Sequence, residues 1–325
     1  MAGRSPQHRG PRYGALLLWG WLLLIAGNTV AEAPRAVSVP PAAAIASAHP
    51  LATAAGFEIL EAGGNAFDAA VAVSAALAVV EPYSSGIGGG GFWLLHRAAD
   101  GFETMLDGRE RAPLAATRTM YLDANGEVVP GLSMDGALAA GIPGEPAALA
   151  HLATHYGRLP LATSLAPAIR YARAGFEVDE MYRRLAGFRA EALNKSAEAA
   201  RLFLLDGAVP PVGHRILQPE LAATLEALAR DGHDGFYAGE VADRLIEGVR
   251  AAGGIWTRED LADYRIVERE PVRGAYRGIR VTTAAPPSSG GVVLVSALNI
   301  LAGYDLAALD EAQRIHVIVE ALRRA

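Results

Sequence analysis

Cysteine is absent from the 325 residues. That excludes disulfides, thiolate zinc sites, a cysteine nucleophile and a lipid-modified N-terminal cysteine. Lysine occurs once, as Lys195, so nearly all positive charge rests on arginine, which reads as compositional bias rather than chemistry. An excess of positive charge is also missing. The formal net charge is −6, which offers no electrostatic case for nucleic acid or anionic lipid as a partner. The longest apolar run, "ALLLWGWLLLIAG" (15–27), falls short of the ~20 residues that cross a bilayer.

That run has a different explanation. Arg4, Arg9 and Arg12 precede it and the small-x-small stretch "AEA" (31–33) follows, so residues 1–33 read as a signal peptide with a mature start near Pro34. Removing three arginines and one glutamate moves the charge from −6 to −8. The expected location is outside the cytoplasm, in periplasm or medium, with no membrane attachment after cleavage. The full chain is 51% hydrophobic and 20% charged, which leaves residues 34–325 apolar enough for a full-sized core and too apolar for disorder.

The pattern along this part is strand and helix in layered blocks. Asn65 is a good N-cap for "NAFDAAVAVSAALAVVEP", a helix with so little polar face that it should be buried. Residues 92–107 read as a hairpin. Residues 141–157 read as a loop that opens a helix at Pro143 or Pro146, and helices follow over 161–176, 218–232 and 237–254, each with an apolar face or a glycine boundary. Residues 269–301 read as two strands, a Pro/Ser/Gly loop and a buried helix. "DEAQRIHVIVEALRRA" (310–325) is an amphipathic helix that stops without a glycine cap or tail, as in a chain cut short.

Residues 86–91, "GIGGGG", match G-x-G-x-x-G letter for letter. A dinucleotide fingerprint needs a strand before the glycines and a helix after them. Here the order is reversed, and the stretch lacks the Lys-Ser/Thr of a Walker loop. The reading left is a tight helix-to-strand crossing. His151 and His155 have the i, i+4 spacing of a metal clip, but no third ligand is evident and the zincin glutamate is missing, so they read as surface or capping histidines. Ser289 in "PPSSGG" lacks a nucleophile elbow, and its glycines suit a sharp turn into the following helix. "MLDGRERAP" gathers Asp107, Arg109, Glu110 and Arg111 at a strand end. It is either a solvated turn or a guanidinium fork held by carboxylates and aimed at a substrate carboxylate. Spacing alone does not separate the two.

Taken together, "AGGNAFDAAVAVSAALAVVEPYSSGIGGGGF", "LDGRERAP", "GIPGEPAAL", "LAPAIRYARAGFEV", "GIWTREDLADYR" and "PPSSGG" resemble, in order, the large subunit of the γ-glutamyltranspeptidase (glutathione hydrolase) family. The resemblance runs from about Ile45 to Ala325. It implies an αββα sandwich of the N-terminal-nucleophile hydrolase type, made from one self-cleaving precursor, incomplete here because the small-subunit portion is absent. It implies acyl transfer through a threonine, from glutathione and other γ-glutamyl compounds to water, amino acids or dipeptides, without cofactor or metal. Arg109 would grip the α-carboxylate of the γ-glutamyl group, with Asp107 and Glu110 as supports. No catalytic residue falls in this chain, because the threonine is expected beyond Ala325. Thr282-Thr283 precedes "PPSSGG", the wrong side of that landmark. The small subunit would be the partner chain, and this portion alone would be inactive. Sister acylases acting on glutaryl β-lactams or poly-γ-glutamate are the alternative, as is a non-catalytic exported remnant.

Overall fold

Capping residues set the first two helices. In the computed structural model, which describes residues 43–325, α1 spans Pro50–Glu61 and α2 spans Ala66–Val80. The expected signal peptide lies outside the described residues. His49 caps α1 by accepting from the Leu51 N–H at 3.1 Å. Gly63, at φ +94°, turns the chain toward α2. Asn65 and Asp68 form a reciprocal capping box. The alanine-rich α2 is buried on most sides, as its missing polar face predicts.

The hairpin forms where expected, as β1 (Gly91–Arg97) and β2 (Phe102–Gly108), in a register running from Gly91 opposite Gly108 to Arg97 opposite Phe102. The irregular stretch after β2 contains only a short 3-10 turn, Ala137–Ala139. Helices α3 (Glu145–Tyr156) and α4 (Leu161–Ala174) follow, with Pro146 in the first turn of α3. Strand β3 (Phe176–Glu177) then leads to α5 (Glu180–Asn194) and α6 (Ala197–Phe203). The sequence reading did not mark these two helices. Only Tyr182 and Ala186 of α5 are buried, too short a stripe to mark a helix.

Strand β4 (Arg215–Ile216) pairs with β3, and α7 (Pro219–Asp231), α8 (Asp234–Tyr237), α9 (Gly239–Ala251) and α10 (Arg258–Ala262) return the chain to the hairpin. There β5 (Val267–Arg269) joins β2 antiparallel, giving a three-stranded sheet in the order β1-β2-β5. Leu95 and Leu106 point from this sheet into a core shared with α2, α3, α4 and α7. On the opposite face stand Phe92, Leu94 and Asp107, with Leu94 exposed.

β6 (Val272–Tyr276) and β7 (Ile279–Thr283) form a separate hairpin, followed by α11 (Gly290–Leu301) and α12 (Glu311–Arg324). One expectation fails here. The all-round apolar α11 should be buried, yet Val292 and Leu294 are exposed, as are Ile315, Val319 and Leu322 of α12. Among the described residues, α11 is covered on one side by β6, where Val295 meets Gly274, and on another by α12. Hydrophobicity states that a face is costly in water; it does not supply the layer that covers it.

Candidate active site at the glycine crossing

Three backbone segments meet where the chain is richest in glycine. Helix α2 comes before residues 86–91 and β1 after them, the order that excludes a dinucleotide loop. None of these glycines has a left-handed φ, so close approach, not an unusual dihedral, explains them. A β-carbon on Gly90 would strike the Gly108 carbonyl oxygen and stand 3.0 Å from Arg109 Cα. One on Gly144 would strike the same carbonyl and the Tyr264 hydroxyl. The end of β2 is thus gripped between two glycines. The Gly89 carbonyl accepts from the N–H groups of Gly144 and Glu145, at 2.8 and 3.0 Å, which satisfies the free end of α3. Arg111 and Ile142 exchange two further backbone hydrogen bonds.

This grip positions Arg109, the first residue after β2. Its N–H donates to Asp107 Oδ1 at 3.1 Å, and its carbonyl accepts from the Tyr264 hydroxyl at 2.7 Å. Burial, with the nearby carboxylates, pushes the Tyr264 phenol up to about 12, against the opposing Arg111 guanidinium, so it stays a donor. Its ring stacks on Tyr237 at 5.4 Å, and Tyr237 donates to the Pro143 carbonyl at 2.7 Å. Both ends of Arg109 are therefore fixed to buried groups. The side chain itself is exposed, with its guanidinium 5.9 Å over the Phe92 ring, and forms no ion pair or hydrogen bond among the described residues.

The two carboxylates read as its supports are placed differently. Asp107 is buried and pairs with Arg269 Nε at 2.7 Å, so it holds Arg109 through the main chain and not through the guanidinium. Glu110 turns its carboxylate toward the glycines, with Oε1 3.1 Å from where a Gly89 β-carbon would stand.

A cavity of about 530 Å³ opens beside the crossing, walled by Tyr83, Phe92 and Trp93 and reaching Glu110 and Glu145. The Trp93 indole is fixed by donating to Ser74 Oγ at 3.3 Å. Glu145, the first residue of α3, is 9% exposed, and its carboxyl has no hydrogen-bond partner among the described residues. Burial, then the charge of Glu110, pushes this carboxyl up to about 7. Glu145, Tyr264, Tyr237 and Arg269 were not singled out by the sequence. Glu145 and Tyr264 do fall inside two of the quoted stretches, "GIPGEPAAL" and "GIWTREDLADYR". Only the fold brings them to Arg109.

The remaining candidates lie apart from this cavity. His151 and His155 stack at 3.9 Å, and His151 Nε2 lies 2.7 Å from Glu268 Oε1. Among the described residues, no three His, Asp or Glu side chains converge in a way that could hold a metal. Thr282 donates to Glu103 Oε2 at 3.2 Å. Ser289 stands at the start of α11, where a β-carbon on Gly291 would strike the Ala284 carbonyl, the sharp turn that the glycines suggested.

The family description "Gamma-glutamyltranspeptidase" matches residues 52–325. A glutathione hydrolase proenzyme of Pseudomonas sp. (strain A14) is 43% identical over 288 residues, 86% of this chain and 49% of that protein. The acylase ACY 1 proenzyme of Pseudomonas sp. (strain SE83) is 40% identical over 288 residues, 85% of this chain and 51% of that protein. The chain thus spans about half the length of the curated relatives it matches. The crystal structure of Helicobacter pylori gamma-glutamyltranspeptidase aligns with a TM-score of 0.85 at 40% identity, covering 89% of this chain and 83% of that one. The mixed α/β fold is therefore shared over most of the chain.

Proposed function

This chain belongs to the gamma-glutamyltranspeptidase family, and from that premise we propose that it is the large-subunit portion of an exported γ-glutamyltransferase and glutathione hydrolase. Its substrates are glutathione and other γ-glutamyl compounds, its acceptors water, amino acids or small peptides. The sheet β1-β2-β5 with its helical layer makes one half of an αββα sandwich. A small subunit cut from the same precursor makes the rest and brings the threonine. That hydroxyl attacks the γ-glutamyl carbonyl, the amine of the donor leaves, and water or an acceptor amine releases the acyl group.

One observation carries this reading: the Arg109 guanidinium is charged, exposed and unpaired among the described residues, on a main chain pinned at both ends. A planar fork held in this way suits two-point capture of a carboxylate, and a lysine would not reproduce it. The test is release of the chromophore from a γ-glutamyl anilide by the full-length protein. Arg109→Ala should lower kcat/KM by roughly a hundredfold, mostly through KM, and Arg109→Lys should recover part of it. Wild-type kinetics from Arg109→Ala would sink the assignment.

The 40% identity to an acylase supports a second reading, in which the donor is a glutaryl amide. Arg109 would serve there too, since a glutaryl group also presents a carboxylate. Faster turnover of a glutaryl than of a γ-glutamyl anilide would favour it. Export is tested by N-terminal sequencing of the mature protein, expected to start near Pro34.

A further inference from the structure

Tyr264 is one of three residues in "GIWTREDLADYR" (254–265) that reach the chain around Arg109, and they stand at every fourth position. The Trp256 indole donates to the Ala140 carbonyl at 3.0 Å, Asp260 Oδ1 accepts from the Leu114 N–H at 2.6 Å, and the Tyr264 hydroxyl donates to the Arg109 carbonyl. All three side chains are buried. Their targets lie on two segments, 109–114 and 140–144, which the paired backbones of Arg111 and Ile142 join. Arg111 closes the arrangement. Its guanidinium lies 5.3 Å over the Tyr264 ring and donates to the Arg265 carbonyl at 3.0 Å.

Asp260 reaches further than its place in α10 requires. A capping box needs one carboxylate oxygen, and Oδ2 fills that part by accepting from the Thr257 N–H at 2.7 Å and the Thr257 hydroxyl at 2.8 Å. Oδ1 is not needed by the cap, and it meets Leu114, 146 positions away in the chain. A carboxylate can accept in both directions at once, whereas an asparagine amide has a single accepting oxygen.

We propose that Asp260, together with Trp256, is a positioning residue that sets the aim of the Arg109 guanidinium. The inference rests on the reading of Arg109 as the grip on a substrate carboxylate. The Arg109 side chain has no partner of its own among the described residues, so its main chain alone fixes where the fork stands. Two-point capture of a carboxylate depends on that placement. Slack at Leu114 or Ala140 therefore reaches the substrate as weaker capture, not as slower chemistry.

A double-mutant cycle on the full-length protein, read with a γ-glutamyl anilide, tests this. Asp260→Asn should raise KM about fivefold and leave kcat within about twofold, and Trp256→Phe should do the same more weakly. In an Arg109→Ala background both substitutions should change kcat/KM by less than about twofold, because the group they aim is gone. Their effect on melting temperature should be the same in both backgrounds. A purely structural role would lower activity whichever residue stands at 109. Should Asp260→Asn fail to fold, Trp256→Phe carries the cycle alone. An effect on kcat/KM that persists in full without the Arg109 side chain, or an unchanged KM in the folded variants, would overturn the proposal and leave the role of Arg109 standing. Wild-type kinetics from Arg109→Ala would instead remove the functional reading, and the proposal with it.

Discussion

Asp68 and Glu145 each stand in the first turn of a buried helix and both are largely buried, Asp68 fully and Glu145 at a cavity wall, yet their surroundings differ completely. Asp68 accepts from the Asn65 N–H at 2.8 Å, from the Arg158 N–H at 3.1 and 2.9 Å, and from the Leu159 N–H at 3.2 Å. It ties the start of α2 to the turn between α3 and α4, and its charge is offset by three backbone donors. Glu145 accepts from none of the described residues and shares its surroundings with a second glutamate. One carboxyl stabilises the fold; the other is a standing cost at a cavity. Helix position and burial are alike, so the partners decide which is structural and which is available to a ligand.

The largest effect should come from the satisfied member. Asp68→Ala leaves three part-buried N–H groups without their acceptor and removes half of a capping box, a loss of about 3 kcal/mol. Denaturant unfolding of the full-length protein measures it. A loss below about 1 kcal/mol would mean that the hydrogen bonds around Asp68 are not its contribution.

Glu145 should behave in the opposite sense. A carboxyl raised from 4.5 to about 7 favours the folded state only while protonated, so its ionisation lowers stability as pH climbs through that window and adds nothing above it. At about 1.4 kcal/mol per pKa unit, the cost at pH 8 reaches up to about 3 kcal/mol. Glu145→Gln should therefore stabilise the protein at pH 8 and change little at pH 4, read as melting temperature across pH. Destabilisation at pH 8 would show that Glu145 is structural after all, and the contrast with Asp68 would collapse.

Tyr264→Phe probes the same region with the smallest expected change. It deletes the donor to the Arg109 carbonyl, worth about 1 kcal/mol of stability. Because that bond steadies the residue after β2, KM for a γ-glutamyl anilide should rise severalfold. An unchanged KM alongside the stability loss would confine Tyr264 to packing.

Much of the fold was legible in the chain. Asn65 announced α2, Pro143 or Pro146 marked the opening of α3 and the structure selects Pro146, and "FWLLHR" and "FETMLDG" set the hairpin, because caps, prolines and alternation act within a few residues. Arg109 was legible only as half of an even choice, and the family motif around it tipped the reading. Its neighbours were not legible. Tyr264 lies 155 positions from Arg109 and Arg269 lies 162 from Asp107, so no local spacing relates them. The burial of α11 was misread for a related reason: composition shows what a helix would bury, not what covers it.

The sequence by itself determined the local elements, the missing thiol chemistry and the family, since each depends on residue type and short spacing. It also excluded a phosphate loop at "GIGGGG", by the order of helix and strand. Only the tertiary structure decided why those glycines are there. The backbones of residues 89–91, 108–110 and 142–145 come together with no room for a β-carbon at Gly90 or Gly144. It also decided that Asp107 holds Arg269 while no described residue hydrogen-bonds the Glu145 carboxyl, because the free energy of a buried charge depends on which donors the fold brings within 3 Å or so.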